Sequence, residues 1–260
     1  MDCMNDQIIG LHDWFQTPPG RYLLAWEQAQ LDEAVADVFG FHALQLGMPE
    51  LDALASNRMP HRWLVNPEPA HSAALVAEFS ALPFPAASLD LVVLPHALEL
   101  SRDPHATLRE VERVLVPEGR AVICGFNPLS LWGLRQRRAR WYRRLGAGRP
   151  FLPLDEMIGY LRMRDWLRLL GFEVEVARFG CYRPALHSER WLTHFDWMDR
   201  AGARWWPILG AVYFVVAIKR VRGVTLLSPG WRTARTRTNA PVSVANNVIG
   251  TGPDRQNDHK

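Results

Sequence analysis

The chain is poor in cysteine: Cys3, Cys124 and Cys181 are its three thiols among 260 residues, and none of them makes a C-x-x-C or a metal-ligand spacing. An odd number without framework spacing excludes a disulfide scaffold and fits a reducing compartment. Long hydrophobic runs are missing too. The longest, Trp205 to Ile218, falls short of the roughly 20 residues that cross a bilayer and is rich in β-branched and aromatic types, so a buried strand is expected there. The start, Met1-Asp-Cys-Met-Asn-Asp, has two acids and no basic stretch before an apolar core, which argues against a secretory leader and for a cytoplasmic protein. No G-x-G-x-x-G follows the first apolar run read as a strand, which weighs against a nicotinamide-dependent dehydrogenase.

What is present is a core-forming composition. Of the residues 48% are hydrophobic and 22% charged, enough for one substantial domain with a short appendage. The net charge of +3 comes mostly from arginines in residues 135–149 and in the tail after Pro229. Leu24, Leu31, Val35 and Val38 fall on one helical face after Thr17-Pro-Pro-Gly, and Gly40 is placed to end that helix. Short apolar runs follow at 41–47, 62–65, 75–79, 89–94 and 120–124, and they read as five buried strands.

Between the last two, Asp103 is positioned to cap a helix whose Leu108, Val111, Val114 and Leu115 face inward, with Pro117-Glu-Gly119 as its close. Asp165 is expected to cap a further helix, which Gly171 ends before an alternating strand, and residues 212–218 supply the last strand. Alternation of strand and helix predicts an α/β fold with a doubly wound sheet.

The segments ALPFPAASLDLVVLPHALE (81–99) and DPHATLREVERVLVPEGRAVI (103–123) closely resemble the central block of class I S-adenosylmethionine-dependent methyltransferases, of the methyltransferase type 11 kind. With GFHALQLG (40–47) and RDWLRLLGFEV (164–174), the likeness extends to a YafS-like group and covers about Gly40 to Arg220. The resemblance implies a Rossmann-like, mostly parallel seven-stranded sheet with helices on both faces and an antiparallel last strand. It also implies S-adenosylmethionine as methyl donor. The expected organisation is an N-terminal helical cap over 1–39, the methyltransferase domain over 40–228 with an arginine-rich insertion at about 129–150, and a disordered basic tail over 229–260.

Donor binding in such a sheet falls at the carboxyl ends of the strands around the switch in strand order. Where the family carries an acid and a G-x-G-x-G loop, this chain reads Gln45-Leu46-Gly47-Met-Pro49-Glu-Leu51, so one glycine survives and Gln45 replaces the acid. Proline removes a backbone donor and leucine adds bulk there. The ribose carboxylate maps to Asn66 or to Glu68, and the adenine-side acid to Glu78, with Phe79 beside it. The alternative reading of Glu78 is a solvated strand-end acid.

His96 follows the fourth strand at the rim of the crevice, as a cofactor contact and base or as a packed residue, and Asn127 either orients substrate or starts a turn. Arg21 and Tyr22 on the leading helix are placed to cover the substrate pocket. Asp90 reads as a structural residue at strand entry. No metal site is expected.

The run from Arg135 to Arg149 holds seven arginines and no acid. It reads as a lid for an anionic substrate, as a nucleic-acid or membrane contact, or as a solvated helix on which Leu131, Leu134, Trp141 and Leu145 make a partial apolar stripe interrupted by Arg138. The sequence thus predicts a methyltransferase acting on a small or lipid-like acceptor. The alternative is a non-catalytic adaptor of the same fold, with a degenerate glycine loop and an anionic partner.

Overall fold

The computed structural model describes residues 10–69, 73–144, 151–154, 156–186 and 188–220, with residues 143 and 144 described by their backbone alone. The expected tail from 229 lies outside the described residues. After a helical turn at 10–15, the chain runs α1 (Pro18–Ala36), β1 (His42–Leu46), β2 (His61–Asn66), β3 (Leu75–Val76), β4 (Leu89–Pro95), α2 (Ala97–Leu100), α3 (Pro104–Val114) and β5 (Leu115–Phe126). It continues through α4 (Leu131–Arg144), α5 (Tyr160–Leu169), β6 (Phe172–Gly180), α6 (Glu189–His194), α7 (Trp197–Trp205), a 3-10 turn (Pro207–Leu209) and β7 (Val212–Lys219).

The seven strands form one sheet in the order β3-β2-β1-β4-β5-β7-β6, parallel except for β7, which runs antiparallel to both neighbours. Leu44 of β1 lies opposite Val92 of β4, which in turn lies opposite Ala121 of β5. Side chains alternate between two cores, as the strand period of two requires. Ala43, Leu91, Val93 and Val122 join the core that takes in Leu23, Leu31 and Val35 of α1. Leu44, Val92, Ala121 and Ile123 join the opposite core, with Leu108 and Val111 of α3 and Met163 and Leu167 of α5. Helices therefore cover both faces, and the strands between them are apolar on both sides.

Caps and strand entries explain most of the boundaries. The Thr17 hydroxyl accepts from the Gly20 amide at 3.4 Å, and Asp103 accepts from the Ala106 amide at 2.9 Å. Asp90 Oδ2 accepts from the amides of Phe41 at 2.8 Å and His42 at 3.0 Å, so it fastens the entry of β1 to that of β4.

Five expectations shift: α1 ends at Ala36 with Asp37 as its cap, three residues before Gly40. Helix α3 ends at Val114 and β5 begins at once at Leu115, so Pro117-Glu118-Gly119 lies within the strand, with Glu118 at φ 64°, and does not close the helix. Asp165 stands inside α5, and Gly159 holds the cap position. The run at 75–79 pairs at only two residues, because Val76 against Asn66 ends its ladder with β2. The run at 205–218 divides into the end of α7, the 3-10 turn and β7: Pro207 has no amide for a ladder, and pairing with β5 begins at Val212.

Candidate functional site

Three parallel strands, β1, β2 and β4, end side by side, and the crevice above them is where the sequence places the donor. The chain leaves β1 through two residues of positive φ, Gly47 at 73° and Met48 at 54°. Glycine suits the first: a Cβ there would stand 3.1 Å from the Phe79 ring. Beyond it, the loop is gathered around Gln45, which is buried. Its amide nitrogen donates to the carbonyls of Gly47 at 3.0 Å, Met48 at 2.9 Å and Leu51 at 2.7 Å, while its oxygen accepts from the Ala53 amide at 3.0 Å. An amide both donates and accepts; a carboxylate in this place would meet three carbonyl oxygens with nothing to donate.

Asn66, buried at the end of β2, donates from Nδ2 to the Glu68 carbonyl at 2.8 Å. It lines a small cavity with Phe79, Met48, Leu100, Leu11 and Phe15. His12 and Glu50 also line it and bridge at 2.5 Å, from the 10–15 turn to the β1 loop. The space is about 20 Å³, room for roughly one water molecule. Of the residues picked from sequence, Gly47, Asn66 and Phe79 therefore converge, whereas Leu46 is buried in the core and Glu78 stands exposed at the surface.

His96, expected at the rim, lies beneath it. It is wholly buried, in the left-handed region at φ 53°, with Nε2 at 2.9 Å from Glu27 Oε1 and Nδ1 at 2.8 Å from Glu99 Oε2. Glu99 Oε1 in turn accepts from the Phe126 amide at 2.8 Å. Burial alone would drive the imidazole toward its neutral form, but Glu27 and Glu99 outweigh it and push the pKa up to about 10. This Glu-His-Glu cluster ties α1 to the ends of β4 and β5. Glu27 went unremarked in the sequence, although it sits between Leu23 and Leu31 on the buried stripe of α1. A carboxylate at an i+4 position of an apolar stripe is the signal that points to it.

The other selected residues hold structure together. Asn127 donates from Nδ2 to the carbonyls of Ile208 at 2.7 Å and Gly210 at 2.9 Å and accepts from the Leu129 amide at 3.1 Å, so its amide faces the chain and not the crevice. Arg21 pairs with Glu189 at 2.5 Å, and the Tyr22 hydroxyl donates to Asp199 at 2.5 Å, so both fasten α1 to α6 and α7. Next to the crevice, Trp14 of the 10–15 turn packs edge-on against Phe126 at 6.0 Å, Trp132 at 5.7 Å and Phe151 at 5.8 Å. Among the described residues no cluster of three or more His, Cys, Asp or Glu is grouped to hold a metal.

Residues 47–123 match the family described as Methyltransferase domain. The fold is shared with a crystal structure of an S-adenosylmethionine-dependent methyltransferase, possibly a histamine N-methyltransferase, from Thermotoga maritima. The TM-score is 0.57 at 14% identity, over 80% of this chain and 94% of that one. The sheet thus has the Rossmann-like methyltransferase fold.

In sequence, the chain is 32% identical over 227 residues to the uncharacterized protein YafS of Escherichia coli K12, spanning 84% of this chain and 85% of that protein. A shorter stretch of 94 residues is 35% identical to a malonyl-[acyl-carrier protein] O-methyltransferase of Halorhodospira halophila, covering 36% of this chain and 29% of that one. The chain belongs to the class I S-adenosylmethionine-dependent methyltransferase family, alongside YafS.

The residues present fit that donor at one end of the crevice. Asn66 and Phe79 offer an amide and an aromatic face at the ends of β2 and β3. At the other end, the loop carbonyls of Gly47, Met48 and Leu51 are turned to Gln45, and the 10–15 turn fills the remaining space.

Proposed function

We propose that the chain is a methyltransferase whose donor, S-adenosylmethionine, enters the crevice above β1, β2 and β4 when the 10–15 turn swings outward. The observation that carries this reading is the convergence of Asn66 and Phe79 on one cavity at the switch in strand order, with Gly47 beside the Phe79 ring. The cavity's cover is a turn joined to the β1 loop through the partly exposed His12–Glu50 pair. Such a pair is worth about 0–1 kcal/mol, and the turn is held besides by the burial of Leu11, Trp14 and Phe15.

When bound, the donor supplies a methyl group on a sulfonium, so the protein's task is proximity, alignment and exclusion of water. Asn66, with Glu68 beside it, holds the ribose; Glu78 accepts from the adenine amino group, and Phe79 packs on the base. Leu11 and Phe15 shut out water. His96 serves as a positioning residue: both ring nitrogens are committed to carboxylates, so it holds its proton between Glu27 and Glu99.

The experiment is calorimetric titration of the full chain with S-adenosylhomocysteine. Saturable binding, weakened about tenfold or more in Glu78→Ala by loss of a hydrogen bond to a charged group, supports the reading. One observation favours a second reading, an adaptor without turnover: Gln45 stitches the donor loop shut. No binding by wild type or by the unlatched His12→Ala variant would favour it.

A further inference from the structure

Helix α4 is docked firmly by one face. Trp132 and Gln136 are buried, the indole donates to the Arg183 carbonyl at 2.7 Å, and Gln136 donates to the Leu152 carbonyl at 2.7 Å. A Cβ on Gly133 would stand 2.4 Å from the Pro128 carbonyl oxygen, so the helix is pressed against its own leading loop. With its inner face satisfied in this way, the outer face should be polar.

It carries an apolar stripe instead. Leu131, Leu134 and Trp141, spaced at 131, 134, (138) and 141, are 51%, 58% and 57% exposed. The stripe does not end with the helix. Asn127 binds the carbonyls of Ile208 and Gly210, which ties the loop of exposed Leu129 to the turn of exposed Ile208 and Leu209 that follows exposed Trp205 of α7. Exposed large side chains that run together over several elements mark a contact surface.

The charge around the stripe chooses its partner. Arg138 lies within it and Arg137 beside it, both exposed, while Arg135, 4.4 Å over the Phe151 ring, and Arg140 are half-buried at its margin; among the described residues none of the four is paired with a carboxylate. Arg135, Arg137 and Arg140 donate instead to the neutral carbonyls of Ala185, Pro128 and Leu154. Among the described residues no acid compensates their positive charge. An RNA partner would use the cations and stack on aromatics but would leave Leu129, Leu131, Leu134 and Ile208 against water or sugar. An anionic lipid surface takes both, with guanidinium groups at the phosphates and leucine and tryptophan in the headgroup and acyl boundary.

We propose that α4, with the 127–130 and 205–209 segments, is a docking face for anionic lipid bilayers, on which the protein lies without crossing. This rests on the exposed surface alone and stands or falls apart from donor binding.

The test is co-sedimentation of the full chain with vesicles of phosphatidylglycerol in phosphatidylcholine, against vesicles of phosphatidylcholine only. Binding should require the anionic lipid and weaken as salt rises. An arginine near such a surface contributes about fivefold in affinity, so Arg137→Gln with Arg138→Gln should weaken binding about 25-fold. Leu134→Gln with Trp141→Gln, on exposed positions that the fold tolerates, should weaken it about tenfold while leaving the salt dependence in place. The circular dichroism spectrum of each variant, matched to wild type, shows that folding is kept. Equal partitioning of wild type and both variants would overturn the proposal, as would absence of vesicle binding, tighter binding to a single-stranded RNA than to vesicles, or a stable dimer that buries Leu134 and Trp141.

Discussion

Replacing Gln45 tests how the donor loop is held. The side chain is 3% exposed and is the partner of four backbone groups between Gly47 and Ala53. In Gln45→Leu the volume is kept and the polar partner is lost. The Met48 carbonyl keeps the Leu51 amide at 3.1 Å, but the Ala53 amide and the carbonyls of Gly47 and Leu51 lose Gln45. An unsatisfied buried group costs about 1–3 kcal/mol, and a loop at the crevice edge recovers part of that from water, so the net loss is about 2–4 kcal/mol.

Urea unfolding followed by tryptophan fluorescence measures it, with an unchanged slope as the check that both states keep their compactness. Gln45→Glu should behave differently with pH. A buried carboxyl facing three carbonyls has its pKa raised in the folded state, so that variant loses stability as pH rises through that value and regains it on acidification. A loss below about 0.5 kcal/mol in Gln45→Leu, or a Gln45→Glu variant as stable at neutral as at acid pH, would refute the reasoning.

Three further outcomes follow from the same geometry. His96 is protonated more tightly in the folded chain than in the unfolded one, with its pKa pushed up to about 10. Its contribution is thus full below about pH 6.5 and is lost as pH rises through 10; unfolding curves across that window should fall more steeply for wild type than for His96→Gln. Asp90→Ala removes the acceptor of two amides at the entry of β1 and should cost about 1–3 kcal/mol in urea unfolding, with Asp90→Asn between it and wild type. His12→Ala breaks the pair that closes the crevice, and since a latch of at most about 1 kcal/mol reduces the competent fraction, S-adenosylhomocysteine should bind up to about fivefold tighter by calorimetry.

The sheet was legible because its strands are short apolar runs with punctuation, and because Asp103 and Asp90 do locally what their positions suggest. The donor crevice was legible only in part. Asn66 and Phe79 meet there, with Gly47 beside the Phe79 ring, because strand ends converge wherever a parallel sheet reverses its order. The role of Gln45 was hidden, since an amide that binds carbonyls six residues further on leaves no periodic trace. The 10–15 turn was equally hidden. Leu11, Trp14 and Phe15 are buried against distant Phe126 and Trp132, a pairing that tertiary contact decides and local pattern does not. His96 passed for a rim residue because a histidine after β4 looks alike in sequence whether or not a carboxylate from α1 reaches it. In the run 205–218, hydrophobicity alone suggested a buried strand, yet its first half is the exposed end of α7 and the 3-10 turn.

The central claim is that the crevice above β1, β2 and β4 takes S-adenosylmethionine, and calorimetric titration of wild type and Glu78→Ala with S-adenosylhomocysteine tests it most directly. The account predicts saturable binding with one site per chain, weakened about tenfold or more by the substitution. Wild-type heats indistinguishable from dilution, or an affinity untouched in Glu78→Ala, would contradict it.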